Sequence, residues 1–208
     1  LNSGALITLG NLTTSGTQQY NNNVTFNSTY NTNGGAFNVT GTTTVASDSS
    51  ITTGAGSVSF GNTVNGPGAL TINSSGTTTF ASSIGQSTAL AGIITDAGGQ
   101  TNLGGNVTTT GTISFQDPIF GSVNLTSTGN APITFVAGDN ASPNSITTTN
   151  NVFAGGSNIG TSGDPLAFGA VPNGLQLLNI GTMFFTTPGG VNPSTLVDIS
   201  WSEPGLTP

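Results

Sequence analysis

Residues 58–80 read VSFGNTVNGPGALTINSSGTTTF. Two pieces of this stretch, Val58-Ser59-Phe60 and Leu70-Thr71-Ile72, set one polar residue between two apolar ones. Period-two alternation with β-branched and aromatic residues is the pattern of a half-buried strand. Between them lies Asn65-Gly66, a pair suited to the positive φ angles of a tight turn. Moving outward in both directions, the same unit recurs as Val24-Thr25-Phe26, Ile113-Ser114-Phe115, Val123-Asn124-Leu125 and Ile133-Thr134-Phe135. Its separators are of one kind: Asn33-Gly34, Ala97-Gly98-Gly99 and Gly104-Gly105. Apolar residues at helical spacing are not found. The chain is all-β.

Two all-β architectures compete for such a pattern. Sandwiches and barrels use strands of roughly five to ten residues and rarely show a sequence repeat. A parallel β-helix, or β-solenoid, uses many very short strands with turns at its corners, and stacks its coils through parallel backbone ladders. Repetition favours the second. Residues 10–20, GNLTTSGTQQY, match residues 105–115, GNVTTTGTISF, and Ser50-Ile51-Thr52-Thr53 matches Ser145-Ile146-Thr147-Thr148 at the same offset of 95. With one extra residue, Phe37-Asn38-Val39 aligns with Ile133-Thr134-Phe135, and Leu70-Thr71-Ile72 with Leu166-Ala167-Phe168. This predicts a parallel β-solenoid with short strands and Gly/Asn turns over residues 1–170. It contains a repeat of about 95 residues (10–104, and 105–170 in part) built from coils of roughly nineteen. Residues 171–208 break the repeat.

Composition closes off many functions. Among 208 residues there is no Lys, Arg, His or Cys, and the ionisable acids number seven. Thr, Asn, Ser and Gly make up over half of the chain, yet Leu, Ile, Val and Phe still supply about 24%. Chains that stay disordered fall below roughly 20%, so a folded protein is expected. Without Lys or Arg there is nothing to neutralise nucleic-acid phosphates or to form a polybasic membrane anchor. No apolar run is long enough for a transmembrane helix, and no signal-peptide pattern opens the sequence. Catalysts built on His, Cys or Lys are excluded, as are thiolate and imidazole metal sites. The sequence also offers trypsin no cleavage site and cannot form Lys–Asn isopeptide cross-links.

The stretch from Gly54 to Thr112, GAGSVSFGNTVNGPGALTINSSGTTTFASSIGQSTALAGIITDAGGQTNLGGNVTTTGT, resembles the repeats of large bacterial filamentous-haemagglutinin-type surface proteins. Residues 157–168, SNIGTSGDPLAF, are similar to another phrase of those proteins. Across residues 8–170 the resemblance implies a right-handed parallel β-helix. It further implies secretion to the bacterial cell surface and a role in adhesion, biofilm or filament formation. The family's secretion domain carries an Asn-Pro-Asn-Gly-type motif, whereas Asn192-Pro193 here continues with Ser194. Shaft rather than export signal is the expectation.

The remaining polar residues offer little chemistry. Asp48, Asp96, Asp117, Asp139, Asp164, Asp198 and Glu203 are scattered, and none forms the adjacent pair that glycosidic-bond hydrolysis on a β-helix would need. They read as turn residues, and no catalytic, cofactor or metal residue is assigned. The Gly-Gly-x-Gly-x-Asp repeat of calcium-binding rolls does not occur. Tyr20, Tyr30 and Trp201 are the only Tyr and Trp that could stack on a sugar. The Thr runs at 42–44, 77–79, 108–110 and 147–149 are too unevenly spaced for one ice-binding face, and eight Asn-x-Ser/Thr sequons match chance.

The non-repeat segment 171–208 carries two apolar runs, one with Leu178, Ile180, Met183, Phe184 and Phe185, the other with Leu196, Val197, Ile199 and Trp201. An open solenoid end exposes strand edges that pair with another chain unless covered. These nine residues are candidates for a C-terminal cap or for an inter-subunit strand docking by β-augmentation. The reading is a structural, non-enzymatic, extracellular β-solenoid. It forms either the shaft of a surface adhesin, continuing in a longer chain, or a subunit that self-associates end to end into a filament. A carbohydrate-binding adhesin module, engaging surface glycans, is the alternative; a glycoside-active β-helix enzyme comes third.

Overall fold

In the computed structural model, residues 7–129, 131–137, 145–148, 152–159, 166–168 and 175–183 are described, with side chains placed for 8–129 and 131–135. Every strand pairing among them is parallel, and they contain no helix. The protein is a β-solenoid, as its alternation predicts.

Each coil crosses three ladders. The first is built from Ile7–Leu9, Val24–Phe26, Thr43–Val45 and Val64–Asn65. It then narrows: Val64 bridges Ile84 and Ile84 bridges Val107, with Leu90 bridging Thr109, before full strands resume at Val107–Thr109 and Ser122–Ser127. The second ladder runs Leu12–Thr13, Thr29–Asn31, Ser49–Gly54, Ala69–Ser74 and Gly92–Thr95. The third runs Gln18–Tyr20, Phe37–Val39, Val58–Phe60, Thr77–Phe80 and Gln100–Leu103. Strand Ile113–Phe120 joins these two. Ile113 and Phe115 pair with Ile93 and Thr95, while Ile119 and Phe120 pair with Thr101 and Asn102. The strand therefore bends around the corner at Asp117-Pro118. Proline has no N–H to give a ladder, so a corner suits it.

Coils are not of constant length. Ile7 pairs with Val24, 17 residues on, whereas Ile84 bridges Val107, 23 residues on. The values bracket the nineteen predicted, because corners absorb insertions that strands cannot. The offset of 95 also lands between ladders. Leu12 and Ile51 belong to the second ladder, yet their counterparts Val107 and Ile146 belong to the first. Phe37 lies on the third and Ile133 on the second; Leu70 lies on the second and Leu166 on the first. Five steps up the second ladder from Leu12 lead instead to Phe115. The matching phrases are thus a strand and its corner, reused on whichever ladder they fall.

The inward residues form columns along the axis. Tyr30, Ile51, Ile72, Thr95, Phe115 and Phe135 are successive register partners on the second ladder, and Tyr20, Val39, Phe60, Phe80 and Leu103 on the third. All are buried. Stacking like on like layers Phe60 on Phe80, parallel within 6° at 5.1 Å, while across the core Phe26 of the first ladder meets Phe37 of the third edge-on at 5.6 Å. A fully buried Phe or Ile contributes roughly 1.5–3 kcal/mol through removal of apolar area from water, repeated on every rung. Replacing Phe60 by Ala leaves a cavity between two coils and is expected to cost about 3–5 kcal/mol. Ser59→Ala, one residue away on the outer side, should stay within ~0.5 kcal/mol. Urea denaturation of the two variants measures the contrast.

Candidate functional site: the stacking interface between coils

The most repeated polar feature is a clamp made by Asn and Asp at the corners. The Oδ1 atoms of Asn11, Asn23, Asp48, Asn65 and Asn106 accept backbone N–H groups of the next coil, from Thr29 (3.1 Å), Thr42 (2.9 Å), Ala69 (2.9 Å), Ser87 (3.0 Å) and Asn124 (2.9 Å). Asn11 also accepts the Ser28 hydroxyl. Asp96 and Asp117 act the other way, taking N–H groups of Ser74 (2.8 Å) and Gly99 (2.9 Å) from the preceding coil. A corner breaks the ladder, so its N–H groups need another acceptor, and a short Asx side chain supplies one.

Sequence reasoning did not pick out these clamps. Asn11, Asn23 and Asn106 are three of the eight Asn-x-Ser/Thr sequons, and each stands directly before a strand that starts with an apolar residue: Leu12, Val24, Val107. That placement was the available signal. Of the seven acids, Asp48, Asp96 and Asp117 lie at corners, as turn residues should, but Asp117 is fully buried rather than solvated. Asp139, Asp164, Asp198 and Glu203 lie outside the described residues.

The corner between the second and third ladders, where Asp96 and Asp117 lie, carries a glycine column. A Cβ on Gly35 would meet the backbone of Gly16, one on Gly56 the carbonyl oxygen of Gly35, and one on Gly99 the carbonyl oxygen of Gly76. Backbones there approach too closely for any side chain.

The two tyrosines are core, not sugar platforms. Tyr30 donates its hydroxyl to Leu9 O (2.7 Å) and accepts Asn27 N–H (3.2 Å); Tyr20 donates to Gln18 Oε1 (3.0 Å). Burial pushes the Tyr20 phenol up to about 12, with Tyr30 adding to the shift, and burial raises Tyr30 as well. The Thr runs divide between surfaces. Thr43, Thr78 and Thr109 are buried, while their neighbours Thr44, Thr79 and Thr108 face outward on two different ladders. Outside, the second ladder presents two neutral columns, Thr29–Ser50–Thr71 and Asn31–Thr52–Asn73. Ile94, continuing the first of them, is the exposed large apolar side chain of the described residues.

Among the end-segment candidates, Leu178, Ile180 and Met183 fall in strand Leu175–Met183, which pairs in parallel with Val152–Ile159 and so continues the ladder; Ile180 sits opposite Gly156 and Met183 opposite Ile159. Among the described residues nothing pairs with its other edge. Phe184, Phe185, Leu196, Val197, Ile199 and Trp201 lie outside the described residues. Among those described, no group of three or more acids is placed to hold a metal, and no helix is long and apolar enough to cross a membrane. Comparison with protein-family models, curated proteins and solved structures returned no match.

Two outcomes check this geometry. Gly56→Ala should destabilise by about 1–3 kcal/mol through overpacking against backbone, whereas Gly10→Ala, with open space at its Cβ, should leave the denaturation midpoint unchanged. Alkaline titration followed at 295 nm should show tyrosinate forming above the ordinary value of 10.0, Tyr20 near 12. Because the folded value is raised, the associated stability is complete below pH 10 and lost as pH rises through about 12.

Proposed function

We propose that this protein is a structural, non-enzymatic rod. It would be the shaft of a filamentous-haemagglutinin-like bacterial surface adhesin or the subunit of a self-assembling extracellular filament. The observation that carries the reading is the stacking interface. The recurrent polar contacts in the described residues join one coil to the next, through three parallel ladders and Asx clamps at the corners. Parallel ladders propagate for as long as coils with matching register are supplied. Strand Leu175–Met183, paired along one edge to Val152–Ile159, supports continuation of that stack, either in the same chain or in the next subunit. Localisation outside a bacterial cell rests on the sequence resemblance and on a composition without Lys, Arg, His or Cys.

A second reading, a carbohydrate-binding adhesin module, draws on the paired neutral columns of the second ladder, where hydroxyls and amides recur coil after coil. A glycan-array signal abolished by Asn73→Ala would favour it.

Negative-stain microscopy of the purified chain separates the main possibilities. Long fibres of uniform width are the result expected of a self-assembling subunit, and discrete short rods that of a shaft. Deleting residues 177–208 should dissolve fibres into rods if that segment docks on the next molecule. Fibres that persist would rule docking out, and irregular aggregation would mark the segment as a cap.

A further inference from the structure

Five buried side-chain oxygens have no hydrogen-bond partner among the described residues: Oγ1 of Thr43, Thr78, Thr95 and Thr101, and Oδ2 of Asp117. Four of them gather where the second ladder turns into the third. Asp117 lies at the bend of Ile113–Phe120; Thr95 pairs with Phe115 two residues before it, and Thr101 pairs with Ile119 two residues after it. Thr78 is the register partner of Thr101 on the coil beyond. Asp117 is fully buried, its Oδ1 taking the Gly99 N–H, and the Thr101 hydroxyl faces its carboxyl without closing a bond of ordinary geometry.

A buried carboxylate needs a counter-charge. Here the composition becomes decisive, because the chain holds no Lys, Arg or His to provide one. Of the elements packed on the bend, Gly92–Thr95, Gln100–Leu103 and Ile133–Ala137 carry no titratable group. Among the described residues, the titratable group that acts on Asp117 is Asp96 on the neighbouring coil, which is of like sign. Lower coils show what this corner requires. There Thr32, Thr53 and Ser74 place neutral hydroxyls that donate to glycine carbonyls, to Gly35 O from Thr32 and to Gly56 O from both Thr53 and Ser74.

We propose that Asp117 keeps its proton inside the solenoid and acts there as a neutral donor to the Thr101 hydroxyl, and that losing this proton to solvent opens the corner between the second and third ladders. The corner is thus closed in acid and loosened by alkali, opposite to the usual effect of a carboxylate on a fold. Burial shifts the carboxyl upward, assisted by Asp96 and opposed by the Gly99 and Gly98 N–H groups and by Thr101. A raised folded value means that the linked stability is complete below the ordinary value of 3.8 and disappears as pH rises through the folded one.

The test combines side-chain carboxyl carbon NMR with amide hydrogen exchange at Gly99 and Thr101, corrected for the intrinsic rate. In the wild-type chain the Asp117 carboxyl should stay protonated above pH 3.8. Protection at the two amides should then fall by up to about tenfold per pH unit across its titration. Asp117→Asn, neutral and of the same shape, should make protection flat over that range. Asp96→Asn should move the wild-type transition to lower pH. An Asp117 that titrates at or below 3.8 overturns the proposal. So does protection that tracks pH equally in wild type and Asp117→Asn, or that collapses at fixed pH when calcium and sodium are removed, since a cation would then be the counter-charge. If Asp117→Asn fails to fold, the wild-type carboxyl titration decides alone.

Discussion

Parallel stacking at about 4.8 Å sets each residue beside its equivalent on the coils above and below. Everything else in this molecule has to be compatible with meeting its own kind. Aromatic rings satisfy that condition by layering, as Phe60 does on Phe80. Hydroxyls and amides satisfy it because each both donates and accepts, as in the outward columns Thr29–Ser50–Thr71 and Asn31–Thr52–Asn73. A charge repeated at that spacing would repel its copy. A sequence with seven acids and no bases in 208 residues is what such a constraint leaves. The constraint accounts for scarcity of charge; it gives no reason why the survivors are all acids.

The architecture was legible because strand and corner are local features. Val58-Ser59-Phe60 and Leu70-Thr71-Ile72 declare which side chains point inward, and both are buried at their apolar positions in the structure. Asn65-Gly66 marks a turn, and Gly66 does adopt a φ of 134°. Register was not legible. Whether Leu12 and Val107 share a ladder depends on the summed length of every intervening corner, and corners vary freely enough to carry a coil from 17 to 23 residues. A similarity of sequence therefore did not translate into an equivalence of position.

The interface between coils was harder to read for a related reason. Asn11, Asn23 and Asn106 take their role from an N–H group on the next coil, eighteen or nineteen residues away, which no local pattern contains. Asp117 precedes a proline, as turn acids often do, yet it takes the next inward position after Ile113 and Phe115 in a strand that buries every second residue. Type of residue predicted the corner; the alternation of the strand that runs through it decided which way the side chain faced.

The narrowing of the first ladder at Ile84 has a mechanical meaning. In a solenoid the backbone hydrogen bonds run along the rod, so tension applied to its ends pulls on them in line, and three ladders share the load at each level. Between Val64–Asn65 and Val107–Thr109 the first ladder is reduced to bridges at Ile84 and Leu90, crossed by backbone hydrogen bonds such as Gly85 N–H to Val64 O (2.7 Å) and Thr108 N–H to Ile84 O (2.9 Å). Among the described residues, tension along the rod would therefore fall more heavily on the second and third ladders at this level than where all three run as full strands.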